Sequence, residues 1–234
     1  LAASRGRMYE VYCRFSQNVC IHLIRKDKIF QRKIISLPPD SKLKSNMHKN
    51  IRPIIDPSKP KVYIETYGCQ QNVSDGERIK GMLAQMGFGF TDSPDNADLT
   101  LFNTCAVRGH AEDRVYGNIG KVKQLKKDNP RLIAAVCGCM AQQQSVADKI
   151  KKSYPYIDMV FGTQVFHRLP EFIYRRIMGS GRIFELSLEN KEIVEDIPVK
   201  RDGKFKGWLP IMYGCNNFCT YCIVPYVRGR ERSR

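Results

Sequence analysis

Apolar residues in this chain fall into short continuous runs that alternate with longer amphipathic segments. The runs have the length and composition of buried strands, and the segments between them have the 3.6-residue period of helices. The predicted strands are 61–66, 99–103, 132–136 and 157–161, and the predicted helices are 74–86, 111–127, 141–153 and 169–177. Continuous apolar strands that alternate with helices predict an α/β fold, an open parallel sheet with flanking helices on both faces.

Local signals place the ends of these elements. Ser74 and Glu77 have the spacing of a capping box, which predicts that the first helix begins at Ser74. Gly87 is expected to end that helix, and the Gly-Phe-Gly stretch around it is interpreted as a helix stop alone. Asn129 and Pro130 are expected to end the second helix.

The pattern divides the chain into four parts. Residues 1–60 carry no regular pattern and are predicted to be a basic, disordered extension that ends in a proline-rich linker; 61–179 form the α/β domain. Residues 180–206 are irregular and charged, as in a connection between domains. Residues 207–234 are predicted to begin a second domain with a strand at 208–213. Because the chain starts at Leu1 and stops after this strand, we expect it to be part of a longer protein, with Met47 as a possible true start.

Charge is concentrated at the two ends. The net charge of +16 divides into +9 for residues 1–60, +1 for 61–199 and +6 for 200–234. This asymmetry indicates a polyanionic partner or, as the simpler interpretation, a solvated basic tail. The basic residues from Arg228 to Arg234 suit phosphate contacts or a short solvated run equally well. No transmembrane segment or signal peptide is indicated, so a cytoplasmic protein is expected.

Three cysteines near the end of the chain, Cys215, Cys219 and Cys222, have the spacing C-x₃-C-x₂-C. Soft thiolate ligands suit an iron–sulfur cluster, and a [4Fe–4S] cluster held by three cysteines leaves one iron open to a substrate. A zinc site would need a fourth ligand, and residues 223–234 contain neither Cys nor His. We call these three residues the second cysteine set; their spacing favours a cluster over zinc.

Another three cysteines, Cys69, Cys105 and Cys139, are 36 and 34 residues apart, about one βαβ repeat each. Each follows a predicted strand, and the carboxyl ends of parallel strands meet at one edge of a sheet. We call them the first cysteine set and expect a second cluster there. Three unrelated core cysteines are the alternative. Cys137 competes with Cys139 for the third position but lies at the strand end, whereas Cys13 and Cys20 are interpreted as free thiols.

Around these cysteines the sequence resembles the MiaB-type methylthiotransferases, a family of radical S-adenosylmethionine enzymes that modify tRNA. The resemblance covers residues 61–234 and leaves out 1–60. It departs from the family at Gly109 and His110, where relatives usually have Glu-Asn. The matching stretches include Tyr-Ile-Glu-Thr-Tyr-Gly-Cys69-Gln-Gln-Asn, Asn-Thr-Cys105-Ala-Val-Arg, Gly-Cys139-Met-Ala-Gln and Tyr-Gly-Cys215-Asn-Asn-Phe-Cys219-Thr-Tyr-Cys222-Ile-Val-Pro-Tyr-Val-Arg-Gly-Arg.

The resemblance implies two [4Fe–4S] clusters with different tasks. The second cysteine set would hold the cluster whose open iron binds S-adenosyl-L-methionine and cleaves it to a 5′-deoxyadenosyl radical. The first cysteine set would hold an auxiliary cluster that carries the sulfur. The implied substrate is N6-isopentenyladenosine beside the anticodon of tRNA, converted to its 2-methylthio derivative. An electron donor such as flavodoxin or ferredoxin and a monomeric enzyme are implied as well, with residues 207–234 as the start of a truncated radical-SAM (β/α) barrel.

Three other functions remain open at this stage. Related methylthiotransferases act on threonylcarbamoyl-adenosine in tRNA or on an aspartate of a ribosomal protein. The residues of the matching stretches around Cys69 and Cys105 resemble the isopentenyladenosine enzymes more than either of these. A non-catalytic iron–sulfur electron carrier or sensor is the alternative from another class. The 234 residues by themselves are expected to be inactive, because most of the barrel would lie outside them.

Overall fold

A computed structural model of the chain describes residues 12–15, 19–22, 60–107, 109–188 and 193–233. Most of the first 59 residues, and with them Met47 and the proline-rich linker, lie outside the described residues. Two short strands are described there, β1 (Tyr12–Phe15) and β2 (Val19–His22), which pair antiparallel and contain Cys13 and Cys20. These two strands are the described part of the extension predicted at 1–60, which stays a prediction.

The centre of the fold is a six-stranded sheet in which every pair of neighbours is parallel. Its strands are β3 (Lys61–Thr66), β4 (Gly89–Phe90), β5 (Leu99–Thr104), β6 (Ile133–Gly138), β7 (Met159–Phe161) and β8 (Ile183–Glu185). The order across the sheet is β4-β3-β5-β6-β7-β8. The chain therefore moves outward in one direction from β3 and in the other from β5, which makes the β3–β5 boundary the switch point of the sheet.

Four helices cover the two faces of this sheet. Helix α1 (Gln70–Gln85) and α4 (Leu169–Ile177) contribute to the core on one face, and α2 (Gly109–Asp128) and α3 (Gln144–Ser153) contribute to the core on the other. The strands supply buried residues to both cores in alternation: Leu101 faces one core and Phe102 the other. The α/β fold with a parallel sheet and flanking helices is confirmed.

The first helix begins earlier than its capping signal predicts. Cys69 is the N-cap of α1, so Ser74 lies inside the helix and not at its start. Glu77 is buried and pairs with Arg201 at 2.7 Å, so its carboxylate serves a tertiary contact instead of a capping box. The predicted stop is confirmed, since Gly87 follows the helix with a φ of +89°.

The sheet extends further than the apolar runs indicate. Ile183–Glu185 lies within the segment predicted to be an irregular connection, yet it pairs with β7 as the last strand of the sheet. Gly89–Phe90 adds the short edge strand β4, although the glycines there were interpreted as a helix stop alone.

The end of the chain forms a two-stranded sheet of its own. The strand predicted at 208–213 is reduced to β9 (Met212–Tyr213), which pairs antiparallel with β10 (Arg232–Ser233). Between them lies the short helix α5 (Val224–Arg228). None of the helices in the part of the chain that the structure describes is long and apolar enough to cross a bilayer.

Candidate functional site

Cys69 lies where β3 passes into α1, at the switch point of the sheet. Its side chain is exposed, and its Sγ lies 3.3 Å from Oδ1 of Asn72 one turn into the helix. The exposed thiol is therefore the accessible member of the first cysteine set.

Asn72 connects the turn of Cys69 with the neighbouring turn after β5. Its side-chain Nδ2 donates to the carbonyl of Thr104 at 2.8 Å, and Nδ2 of Asn103 donates back to the Asn72 carbonyl at 2.8 Å. Both asparagines are almost fully buried. A buried and satisfied polar network of this kind fixes the relative position of the two turns. Local sequence gives no sign of this role, because both partners of Asn72 lie more than thirty residues away along the chain.

Cys105 packs directly against the backbone beside Cys69. Gly68 has a φ of +109°, and a Cβ built on it would lie 2.6 Å from Sγ of Cys105. A side chain at residue 68 is thus excluded both by the backbone conformation and by the Cys105 side chain. Cys105 itself is buried, with 1% of its surface exposed. The structure brings these two cysteine turns into contact, as the strand spacing predicts.

Cys139 follows β6 by one residue and is tied to the same place. Its backbone N–H donates to the carbonyl of Thr104 at 2.9 Å, and Gly138 approaches Thr104 so closely that a Cβ would lie 2.3 Å from that carbonyl oxygen. The Cys139 side chain is 5% exposed. Burial raises the pKa of its thiol, and the neighbouring guanidinium of Arg228 opposes that shift. The Thr104 carbonyl, in the turn of Cys105, thus binds both the first turn through Asn72 and the third turn through Cys139.

Cys137, the competitor for the third position, points into the hydrophobic core. It lies within β6, is 1% exposed, and packs among the apolar residues of the face covered by α1 and α4. Burial raises the pKa of this thiol well above its ordinary value, which keeps it neutral. Its position supports the choice of Cys139.

Arg228 is the residue that the sequence analysis missed. It was interpreted as part of a solvated or phosphate-binding run, but it is only 7% exposed, and its Nε donates to Sγ of Cys139 at 3.0 Å. Its Nη1 donates to Asp75 of α1 at 2.5 Å. Burial alone would lower the pKa of this guanidinium, but the charges of Asp75 and Cys139 outweigh burial and hold it above its ordinary value. It therefore remains a cation beside the first cysteine set.

The second cysteine set lies on a surface loop between β9 and α5. Cys215 and Cys222 are half-buried and Cys219 is exposed. The loop is shaped by local contacts: the N–H of Cys222 donates to the Cys219 carbonyl at 2.9 Å, and Phe218 adopts a φ of +46°. Three soft donors are thus presented within one short turn.

Helix α5 holds this loop against the sheet. The hydroxyl of Thr163 donates to the Val227 carbonyl at 2.6 Å, and the amide of Gln164 donates to the Arg228 carbonyl at 3.2 Å. The N–H of Cys215 in turn donates to the Gly229 carbonyl at 3.2 Å. The residues that anchor Arg228 therefore also position the loop of the second cysteine set.

By donor chemistry each set fits an iron–sulfur cluster, because it offers three thiol sulfurs, the soft ligands that such clusters prefer. Arg228 adds a buried cation whose Nη2, with its two N–H groups, has no hydrogen-bond partner among the described residues. An anionic group beside Cys139 would satisfy it. Within the described ranges, no three His, Cys, Asp or Glu side chains are arranged to hold a metal ion as they stand. The two ligand sets therefore stay predictions.

The part of the chain that carries the first cysteine set is similar to a known protein family. Residues 61–162 match the model of the uncharacterized protein family UPF0004. This matched stretch makes up less than half of the chain. It contains all three residues of the first cysteine set and five strands of the six-stranded sheet.

Curated relatives of this chain are named tRNA-2-methylthio-N(6)-dimethylallyladenosine synthase. The chain is 51% identical to the one from Clostridium perfringens (strain 13 / Type A) over 171 residues, which are 73% of this chain and 38% of the relative. It is 49% identical to that of Bacillus subtilis (strain 168) over 174 residues, 74% of this chain and 34% of the relative. The resemblance to methylthiotransferases is confirmed, and the chain spans little more than a third of these relatives' length.

Proposed function

We propose that the protein containing this chain is a radical S-adenosylmethionine methylthiotransferase. It adds a methylthio group to C2 of N6-isopentenyladenosine next to the anticodon of tRNA. The identity of about half of the aligned residues to enzymes named for this product carries the proposal. The convergence of the Cys69, Cys105 and Cys139 turns at one sheet edge supports it. The alternative substrates and the electron-carrier function have no comparable support.

Each cysteine set has a proposed part in this reaction. Cys215, Cys219 and Cys222 would hold the cluster that binds S-adenosyl-L-methionine, and Cys69, Cys105 and Cys139 would hold the auxiliary cluster. When bound, the two [4Fe–4S] clusters and S-adenosyl-L-methionine supply the radical and sulfur chemistry that amino-acid side chains lack.

The described residues perform the positioning. Cys105 and Cys139 are buried, so two of the three thiols of the first set are shielded from water, whereas Cys69 faces the solvent side. The Asn72–Thr104 contacts fix the turns that carry these thiols. Rigid support of this kind holds reactive groups in register without loss of entropy at the moment of reaction.

We propose the domain boundaries given by the sequence pattern, with a later end for the α/β domain. The α/β domain predicted at 61–179 reaches at least Glu185, because β8 belongs to its sheet. The connection then lies between β8 and residue 206, and 207–234 would begin the radical-SAM barrel. A flavodoxin or ferredoxin as electron donor, a monomeric enzyme and a cytoplasmic location complete the proposal.

The test uses the full-length protein, reconstituted without oxygen, and two triple alanine variants. Replacement of Cys215, Cys219 and Cys222 is expected to abolish S-adenosyl-L-methionine cleavage. Replacement of Cys69, Cys105 and Cys139 is expected to leave cleavage intact and to stop methylthiolation of isopentenyladenosine-containing tRNA. Methylthiolated tRNA from the second variant would show that the first cysteine set does not serve sulfur insertion.

A further inference from the structure

The guanidinium of Arg228 uses only part of its donor capacity. Nη1 binds Asp75 and Nε binds Sγ of Cys139, but Nη2 is buried and has no partner among the described residues. A buried N–H without an acceptor has lost its hydrogen bond to water without replacement, and this loss is larger when the group is charged. Such a group calls for an acceptor that the side chains of the described residues do not supply.

Another arginine of this chain, Arg168, shows what the Nε/Nη2 side of a guanidinium can bind. In Arg168, Nε and Nη2 donate to the two carboxylate oxygens of Glu171, both at 2.9 Å. Because the guanidinium is planar and rigid, these two N–H groups are parallel and accept two neighbouring anionic atoms at once. In Arg228 one half of this fork is occupied by a cysteine sulfur and the other half is empty.

Several contacts fix the position of the unoccupied Nη2 side of the Arg228 guanidinium. Asp75 fixes one end of the guanidinium, and Gln164 holds the backbone of Arg228 through its carbonyl. With Asp75 4% exposed and Arg228 7% exposed, water does not compete freely for this edge. The side chain is therefore preorganised next to Cys139, and the missing acceptor must lie beside that sulfur.

We propose that Arg228 is a positioning residue whose Nε/Nη2 fork donates to two sulfurs at the first cysteine set, Sγ of Cys139 and an inorganic sulfide next to it. The inference rests on the proposed function, since it needs a cluster on Cys69, Cys105 and Cys139. It goes further by giving helix α5, which follows the loop of the second cysteine set, a direct contact with the cluster of the first. Arg228 lies only six residues after Cys222, so one side chain links the two sites.

The hydrogen bonds from Nε and Nη2 of Arg228 should raise the reduction potential of the cluster held by the first cysteine set, and this potential can be measured. Hydrogen bonds to cluster sulfurs raise the potential because they stabilise the more negative reduced state. We use the full-length protein with Cys215, Cys219 and Cys222 replaced by alanine, so that only the first set binds iron. In this background R228K keeps the positive charge but loses the fork, and R228Q loses both. We expect the potential to fall in R228K and to fall further in R228Q.

The matched control is R168K in the same background. It breaks the same kind of fork at Glu171, outside the first cysteine set, and should leave the potential unchanged. Circular dichroism checks that each variant is folded. If R228K and R228Q load the cluster with the potential of the background protein, the inference is wrong. If the background protein itself binds no iron, the proposed function fails as well, and with it the inference.

A measurement without any substitution at Arg228 covers the case in which its variants do not fold. The same background protein is prepared with ¹⁵N in its arginine side chains, and the reduced cluster is examined by pulsed electron paramagnetic resonance. A weak ¹⁵N coupling is expected, because a hydrogen bond to sulfur transmits unpaired spin density to the donor nitrogen. A loaded and reduced cluster without this coupling would overturn the proposal.

Discussion

The two cysteine sets of this chain are built in opposite ways. The first collects Cys69, Cys105 and Cys139 from turns more than thirty residues apart, and only the parallel sheet brings them together. The second is contained within one eight-residue stretch and lies on a surface loop. Two members of the first set are buried, whereas all three of the second are at least partly exposed.

This difference determines what each site depends on. The first set depends on the packing of the sheet, on the glycines that permit close approach, and on a network of buried amides. The second depends on a local turn and on the attachment of α5 to the domain. Arg228 is common to both, because its side chain contacts Cys139 and its backbone anchors α5. Substitutions can therefore separate the two sites or disturb both together.

The largest effect is expected from D75A, which disturbs the point common to both sites. It leaves the buried guanidinium of Arg228 without its carboxylate, and loss of one partner from a buried ion pair costs about 3–5 kcal/mol. Urea denaturation of this chain measures the free energy of unfolding. D202A is the control, since it breaks the partly exposed pair with Lys80 and should cost roughly 0–1 kcal/mol. Equal losses in the two variants would contradict the role given to Arg228.

G68A is expected to damage the first set alone. Its Cβ would overlap Cys105 and its φ of +109° is strained for alanine, so we expect a loss of about 2–3 kcal/mol. In the full-length protein with the second set replaced by alanine, iron binding should fall as well. G87A also places alanine at a positive φ, but its Cβ meets no atom within 4 Å. It should retain the iron; a G68A protein with full iron content would show that the contact with Cys105 is unimportant.

T163A should loosen the second set and spare the first. It removes the hydroxyl that binds the Val227 carbonyl at 2.6 Å, at a cost of about 1–3 kcal/mol for an unsatisfied buried acceptor. Hydrogen exchange of residues 215–229 should become faster, while exchange in β5 and β6 stays as it was. T91A, which removes only a local hydroxyl contact with Ser93, serves as control. Unchanged exchange in residues 215–229 would mean that other contacts hold α5.

The smallest effect is expected from C137A. This thiol contributes to the core and not to the ligand set, so its loss should cost about 1 kcal/mol and leave the iron content unchanged. C139A removes a sulfur two residues away and should reduce the iron bound by the first set. Iron analysis of both variants in the background without the second set makes the comparison. Iron loss in C137A, with C139A unaffected, would reverse the assignment of the third ligand.

Periodicity in the sequence was sufficient to predict the alternating strands and helices of the parallel α/β fold. The bounds of β3 and α4 agree with the apolar pattern to the residue, because both elements bury a regular face. The start of α1 was wrong because Glu77 forms a tertiary ion pair with Arg201, which local sequence does not reveal. The last strand of the sheet was missed since only Ile183 in it is fully buried.

The candidate site was predictable in part for the same reason. The first cysteine set could be predicted because each of its cysteines follows a predicted strand. The second could be predicted from the spacing of its cysteines. Arg228 was not, since its partner Asp75 lies 153 residues earlier and no local pattern connects the two. A basic residue in a run of basic residues is expected to be exposed to solvent, and only the structure shows that Arg228 is buried.

The central claim is that two separate clusters occupy the two cysteine sets, and iron and sulfide counts test it most directly. The full-length protein, reconstituted without oxygen, should bind about eight irons and as many sulfides, as expected for two four-iron clusters. Each triple alanine variant should bind about four, with the Mössbauer spectrum of an intact [4Fe–4S] cluster. About four irons in the unsubstituted protein, or about eight in either triple variant, would contradict the account.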